Sequence, residues 1–178
     1  MRRIVTGNKD GKSVFISDGM PPRVVRLESL PVIESTEIWA TDDITTIPIE
    51  PGDPTVEMSS FVPGPTGTRF RLFRMPPLQE FAEVLEKADM AAVGQELLEK
   101  LPGLAEAMEP ENFGMHTTDT VDYNIVLSGE IWLELDDGRE VHLKPGDCVV
   151  QNGTRHAWKN LGSEACLIAS IMIGAKRG

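Results

Sequence analysis

Between residues 123 and 173 the chain is cut into six short runs rich in β-branched and aromatic residues, each closed by a turn-forming pair. Residues 123–127 and 130–135 are separated by Ser128 and Gly129, and Asp137–Gly138 makes a tight hairpin into residues 140–143. The Lys144-Pro145-Gly146-Asp147 stretch turns the chain into residues 148–151, and Asn152–Gly153 turns it again into 156–160. A last apolar strand covers 165–173. Runs this short and this regularly spaced cannot build a helical bundle; they predict a sandwich or a barrel.

The first half carries the same texture more loosely. Strands are expected at 13–17, 24–27, 35–40 and 68–75, with a Pro- and Gly-rich loop from 41 to 66 running along the surface. In the strand at 68–75, Arg69 and Arg71 alternate with Phe70 and Leu72, so the arginines share one face. Exposure on an outer strand is the expected reading. The alternative is a barrel mouth, where the pair would suit a carboxylate-bearing substrate.

At Leu78 the pattern changes to Ala, Leu and Glu, with Leu78, Phe81, Leu85 and Ala88 spaced for one helical face. Gly94 and the Pro102–Gly103 pair divide this piece into two helices. Residues 79–111 hold nine acids against two lysines, so −7 of the total charge of −11 is local to the insert and suits a solvated outer face.

With 178 residues, the chain is expected to form one domain. Residues 1–77 would supply outer strands and loops, 78–110 the helical insert, and 111–178 the principal strands. Net charge −11 argues against nucleic acid and anionic membrane as partners. No apolar run approaches the length of a membrane span, and the opening MRRIVTGNKDGKS lacks the apolar core of a secretion signal. A cytoplasmic location is the expectation. Cys148 and Cys166, both in apolar runs, are expected to be reduced, buried thiols.

Chemistry concentrates in two patterns, GMHTTDTVDYNIVLSG and PGDCVVQNGTRHAWKN, each with one histidine. They resemble the two motifs of the cupins, small jelly-roll barrels. Counting back from Gly129 puts Asp122 on the first motif's glutamate, Thr118 on its second histidine and His116 on its first. In the second motif Gly153, His156 and Asn160 match in spacing, and Gln151 stands where the family has proline. The resemblance, tight from Gly114 to Ile173, implies a mainly β, cupin-type jelly-roll barrel with a short helical insertion at about residues 78–109. It also implies a homodimer.

In an intact cupin motif three imidazoles and one carboxylate surround a divalent ion. This chain keeps His116, His156 and the shorter Asp122, which still match a two-histidine, one-carboxylate triad for iron, zinc or manganese. Gln151 is a candidate additional ligand, and no organic cofactor is expected. On a straight strand His116 and Asp122 would stand roughly 20 Å apart; a bend is needed, and Asp119 is the candidate for it. The competing reading is a degenerate site whose histidines hydrogen-bond to Asp122, Thr118 or Gln151 and do acid–base work without metal.

Thr118, Gln151 and Trp158 are the expected substrate-pocket residues. His142, between Val141 and Leu143, should face outward, and Asn160 should tether a turn. About 38 residues separate Pro77 from His116, so the insert could be a lid, a dimer contact or cladding over a sheet edge. Three functional readings follow: a small-molecule enzyme using His116, Asp122 and His156 (oxygenase, isomerase, decarboxylase or lyase), a metal-free module binding a small ligand, and a structural role through oligomerisation.

Overall fold

A computed structural model describes every residue except Glu50, Pro51 and Phe113; the first two lie within the expected loop at 41–66. Its elements are β1 (Arg3–Lys9), β2 (Lys12–Gly19), β3 (Val24–Arg26), β4 (Glu34–Thr41), β5 (Thr68–Met75), α1 (Leu78–Leu85), α2 (Met90–Lys100), α3 (Leu104–Ala107), β6 (Thr120–Ser128), β7 (Ile131–Glu134), β8 (Glu140–Leu143), β9 (Cys148–Asn152), β10 (Ala157–Lys159) and β11 (Cys166–Gly174). A six-stranded antiparallel sheet in the order β3-β4-β5-β11-β6-β9 faces a three-stranded sheet, β10-β7-β8. β1 and β2 form a separate hairpin. The fold is the expected mainly β cupin barrel with a helical insertion.

Strand alternation sets which residues see the interior. Along β6, Thr120, Asp122, Asn124 and Val126 are buried while the residues between them are more open. The β6–β7 turn depends on Gly129, whose φ is +71° and whose absent Cβ would stand 2.7 Å from the Ala165 carbonyl oxygen. A side chain there would be both strained and obstructed. The β7–β8 turn places Asp137 and Gly138 at φ of 60° and 66°, the left-handed pair that two-residue hairpins need.

Several expectations need correction. The insert holds three helices, because Asp89 starts α2 by accepting a hydrogen bond from Ala91 N at 2.9 Å. Gly94 lies inside α2, and the break falls at Gly103 as expected. β1 was not anticipated; its partner, β2, is the strand expected at 13–17, extended at both ends. The loop after β4 does not merely run over the surface, since it sends Thr55, Met58 and Phe61 into the interior. Cys166 is buried as expected, but Cys148 is exposed, and both are free thiols.

The insert is packed onto the barrel. Val93, Leu101 and Leu104 form one apolar cluster with Leu27, Leu30, Phe61 and Met172. Glu96 fastens α2 to the chain after β3, accepting from Glu28 N (2.6 Å), from Ser29 N (2.8 Å) and from the Ser29 hydroxyl, with Lys100 Nζ at 2.6 Å. Burial pushes this carboxyl up, but the bonds from Lys100, Ser29 and Glu28 outweigh it and hold it at about 2. A folded-state value below the unfolded one means that the stabilisation is complete above the ordinary glutamate range and lost as pH falls toward 2. Glu96→Ala should therefore cost about 1–2 kcal/mol at neutral pH and speed amide exchange in Met90–Lys100. Exchange as slow as in the unaltered protein would refute the role assigned to Glu96.

Candidate active site

A cavity of about 650 Å³ lies between the two sheets, and the helical insert forms part of its wall through Phe81, Leu97, Leu101 and Leu104. The sequence-expected residues His116, Thr118, Asp122, Gln151, His156 and Trp158 all line it. The insert is thus a wall of the pocket as well as cladding for the barrel.

His116 and His156 are joined through their backbones. His116 N donates to His156 O at 2.9 Å and His156 N to His116 O at 3.0 Å, a reciprocal pair of the kind found between directly opposed antiparallel residues. The side chains therefore emerge together, with ring centroids 4.2 Å apart and planes inclined by 52°. Each Nδ1 lies 2.9 Å from a carbonyl oxygen two residues earlier, Gly114 O for His116 and Thr154 O for His156. A carbonyl can only accept, so Nδ1 must carry the hydrogen in both rings. In the neutral rings Nε2 is left with its lone pair. Burial lowers both imidazoles, and for His156 the neighbouring His116 adds to it, down to about 4. Two neutral bases stand side by side. Trp158 meets His156 edge to face at 6.0 Å between ring centroids and closes the apolar side of the pair.

After His116 the chain bends at Asp119, as expected, and Arg177 pins the bend through a 2.6 Å bond from Nε to Asp119 Oδ1. The bend carries the chain from the histidine bridge, which leads into β10 of the small sheet, to β6 of the large one. Asp122 lies there directly across from Gln151 on β9 and from Met172 on β11. Both polar residues are buried, and among the described residues Asp122 Oδ1 and Gln151 Nε2 each lack a hydrogen-bond partner. Gln151 Oε1 accepts from Asn124 Nδ2 at 3.3 Å. Burial raises the Asp122 carboxyl above its ordinary value, against the opposing pull of the Thr120 hydroxyl and the Arg71 charge. The Thr118 hydroxyl is engaged with Thr120 Oγ1 at 2.7 Å.

Arg69 and Arg71 are not exposed, as the strand pattern led us to expect; both are 1% accessible. Arg71 lines the cavity and meets Glu37, which is fully buried, with Nε 3.1 Å from Oε2. It also donates to Phe61 O at 2.7 Å, and its guanidinium lies over the Phe61 ring at 3.2 Å. Burial pulls Arg71 down to about 10, against the Glu37 charge, so it stays cationic at neutral pH. Arg69 is consumed by backbone carbonyls of Ser60, Thr41 and Thr68 and by Asp42. Glu37, Asn124 and Ser170, which the sequence reading did not select, join Arg71 in a polar row: Glu37 pairs Arg71, Arg71 pairs Ser170, and Ser170 pairs Asn124 across four strands. The one sequence signal was a glutamate inside the half-buried run Glu34–Thr41.

The remaining assignments follow expectation. His142 is outside the cavity, stacked on Trp132 with ring centroids 3.9 Å apart and bonded to Glu130 at 2.8 Å. Asn160 is a tether: Nδ2 donates to Met75 O at 3.0 Å and Glu164 O at 2.8 Å, and Oδ1 accepts from Gly162 N at 2.9 Å.

A divalent metal requires a gathered donor set, and the residues meet that requirement only in part. The Nδ1–H bonds to carbonyls orient the two histidines as metal-bound histidines are oriented. Among the described residues, however, no group of three or more His, Cys, Asp or Glu side chains is placed to hold an ion. Asp122 is on the large sheet while the histidine bridge serves the small one. The three side chains share a cavity without forming the expected triad, and no chemical step is assigned to a metal.

Residues 105–173 match the family model of the cupin domain. Over 46 residues the chain is 54% identical to phomopsin biosynthesis cluster protein C' of Diaporthe leptostromiformis, covering 26% of this chain and 24% of that protein. Over 58 residues it is 36% identical to the cupin-domain-containing oxidoreductase virC of Hypocrea virens, covering 33% and 30%. The aligned stretch thus spans less than a third of either relative's length. The crystal structure of a conserved Klebsiella pneumoniae protein with a double-stranded β-helix domain is similar at 14% identity and TM-score 0.43, over 88% of this chain and 82% of that one.

The buried neutral histidines fix a pH response. Their folded-state values lie below the ordinary 6.5, so the unfolded chain takes up protons first as pH falls. Stability should decline from about pH 6.5 to about pH 4, with His156 contributing on the order of 3 kcal/mol across that window. Urea unfolding of His156→Gln should show a shallower decline over the same range. An equal slope would contradict the assigned burial and neutrality.

Proposed function

We propose that this chain is a small-molecule enzyme of the cupin type that works by acid–base chemistry in the barrel cavity. The observation that carries this reading is the paired orientation of His116 and His156: Nδ1–H of each is fixed on a carbonyl, and both rings are neutral on the cavity wall. An Nε2 lone pair can then take a proton from an acidic C–H or O–H of a bound substrate. Proton removal leaves negative charge on the substrate, and Arg71, cationic on the same cavity, is the group whose field would stabilise it. Asp122 is the second titratable group, and Trp158 and the insert exclude water from the reacting atoms.

The similarity to proteins named cupin-domain-containing oxidoreductases supports an enzyme over a purely structural protein. Proton abstraction next to a carbonyl or from a hydroxyl is a step that oxidations and isomerisations share, so the reading is compatible with that name. It does not depend on a bound metal.

The test begins with protein dialysed against a chelator, incubated in deuterated buffer with a panel of apolar ketones and hydroxylated aromatics. Substrate C–H exchange or consumption, followed by NMR and mass spectrometry, should persist without metal. Replacement of His116 or His156 by alanine should lower it by roughly 10²–10⁴-fold. Activity lost on chelation and restored by iron, zinc or manganese would replace this mechanism with the metal-dependent one. Ligands that raise the melting temperature without exchange or turnover would instead identify a binding module.

A further inference from the structure

Two buried polar atoms of the cavity are left unsatisfied by the acid–base reading. Asp122 Oδ1 and Gln151 Nε2 are an acceptor and a donor, both buried and both without a partner among the described residues. Their residues are 5% and 3% accessible and face the same cavity. They are direct partners across the β6–β9 ladder, which sets their Cβ atoms about 4.5–5.5 Å apart. Leaving such groups unsatisfied costs about 1–3 kcal/mol each, so the pair is a standing demand for a group that satisfies both.

The partner's chemistry follows from the atoms. It must donate to Oδ1 and accept from Nε2 at neighbouring positions. A carboxylate offers only acceptors and would set its charge against Asp122; an ammonium offers only donors and leaves Gln151 unpaired. A hydroxyl or a carboxamide offers both. Asn124, Thr120 and the Arg71 charge act on the pair, and beyond this polar floor the cavity wall is mostly hydrocarbon, with Ile168, Met172 and Trp158 near the sheets and Leu97, Leu101 and Leu104 from the insert.

We propose that Asp122 and Gln151 form a two-point clamp that selects neutral, apolar ligands bearing one group that both donates and accepts a hydrogen bond. The clamp rests on the cavity's being the substrate site, and it adds the class of substrate: a hydrophobic body with a hydroxyl or carboxamide head, uncharged at neutral pH. Asp122 and Gln151 determine specificity, while the histidine pair on its bridge beside the small sheet meets the remainder of the ligand.

Two matched ligand pairs test this by isothermal titration on the unaltered protein: 2-naphthol against 2-methoxynaphthalene, and 2-naphthamide against its N,N-dimethyl derivative. Each second member keeps the apolar body and an acceptor but has lost the donor. At least one first member should bind tenfold or more tightly than its partner, and which pair shows the advantage tells hydroxyl from carboxamide. Asp122→Leu and Gln151→Met should each bring the preferred ligand down to the level of its alkylated partner, with folding checked by circular dichroism. Equal affinities within both pairs, or a preference that survives both substitutions, would overturn the clamp while leaving the cavity as a binding site. No binding by any of the four would overturn the clamp and the cavity reading together.

Discussion

The reciprocal backbone bridge between His116 and His156 is the constraint on which the site depends. Two hydrogen bonds hold the segment leaving the insert against the segment entering β10. That single juxtaposition orients both imidazoles and brings the end of the insert onto the barrel. Arg155 reinforces it from outside, with Nε and one Nη on the Glu109 carboxylate and the other Nη 2.8 Å from Asp136. Without the bridge the two rings would belong to separate loops. With it, desolvation acts on both and keeps both neutral.

What the sequence disclosed, and what it did not, divides along the range of the forces involved. Turns and strands after Gly114 were readable because each is set locally, by residues such as Gly129, Asp137 and Gly138 whose backbone angles few other residues tolerate. The bend at Asp119 was readable for the same reason. The burial of Arg69 and Arg71 was not: alternation says that two residues share a face, but which face turns inward depends on the register with β4 and β11. The Asp89 cap was overlooked in favour of Gly94, although a helix tolerates an interior glycine at modest cost. The three residues picked out by the family spacing, His116, Asp122 and His156, line one cavity. It could not report that the acid sits on one sheet and the histidines on a bridge to the other.

The polar floor of the cavity is costly to build. A buried arginine–glutamate pair seldom stabilises a fold relative to an apolar substitute, and the Asp122–Gln151 pair adds unmet hydrogen bonds. Core clusters on either side, one around Leu27, Leu101 and Met172 and another around Val126, Ile131 and Ile168, supply the apolar burial that tolerates this. Residues retained against such a cost are where recognition and chemistry are to be sought.

The concentration of acids in the insert has a consequence for traffic into the pocket. The same segment that lines the cavity with leucines presents Glu80, Glu83, Glu86 and Glu99 to solvent. At physiological ionic strength their field extends about 8 Å from the surface, so a solute approaching along this side crosses a negative potential before it meets hydrocarbon. That field disfavours anions on this side and is indifferent to uncharged molecules. The insert therefore sets an acidic outer face against an apolar inner one, and the charge of a solute matters on the first while its hydrocarbon matters on the second.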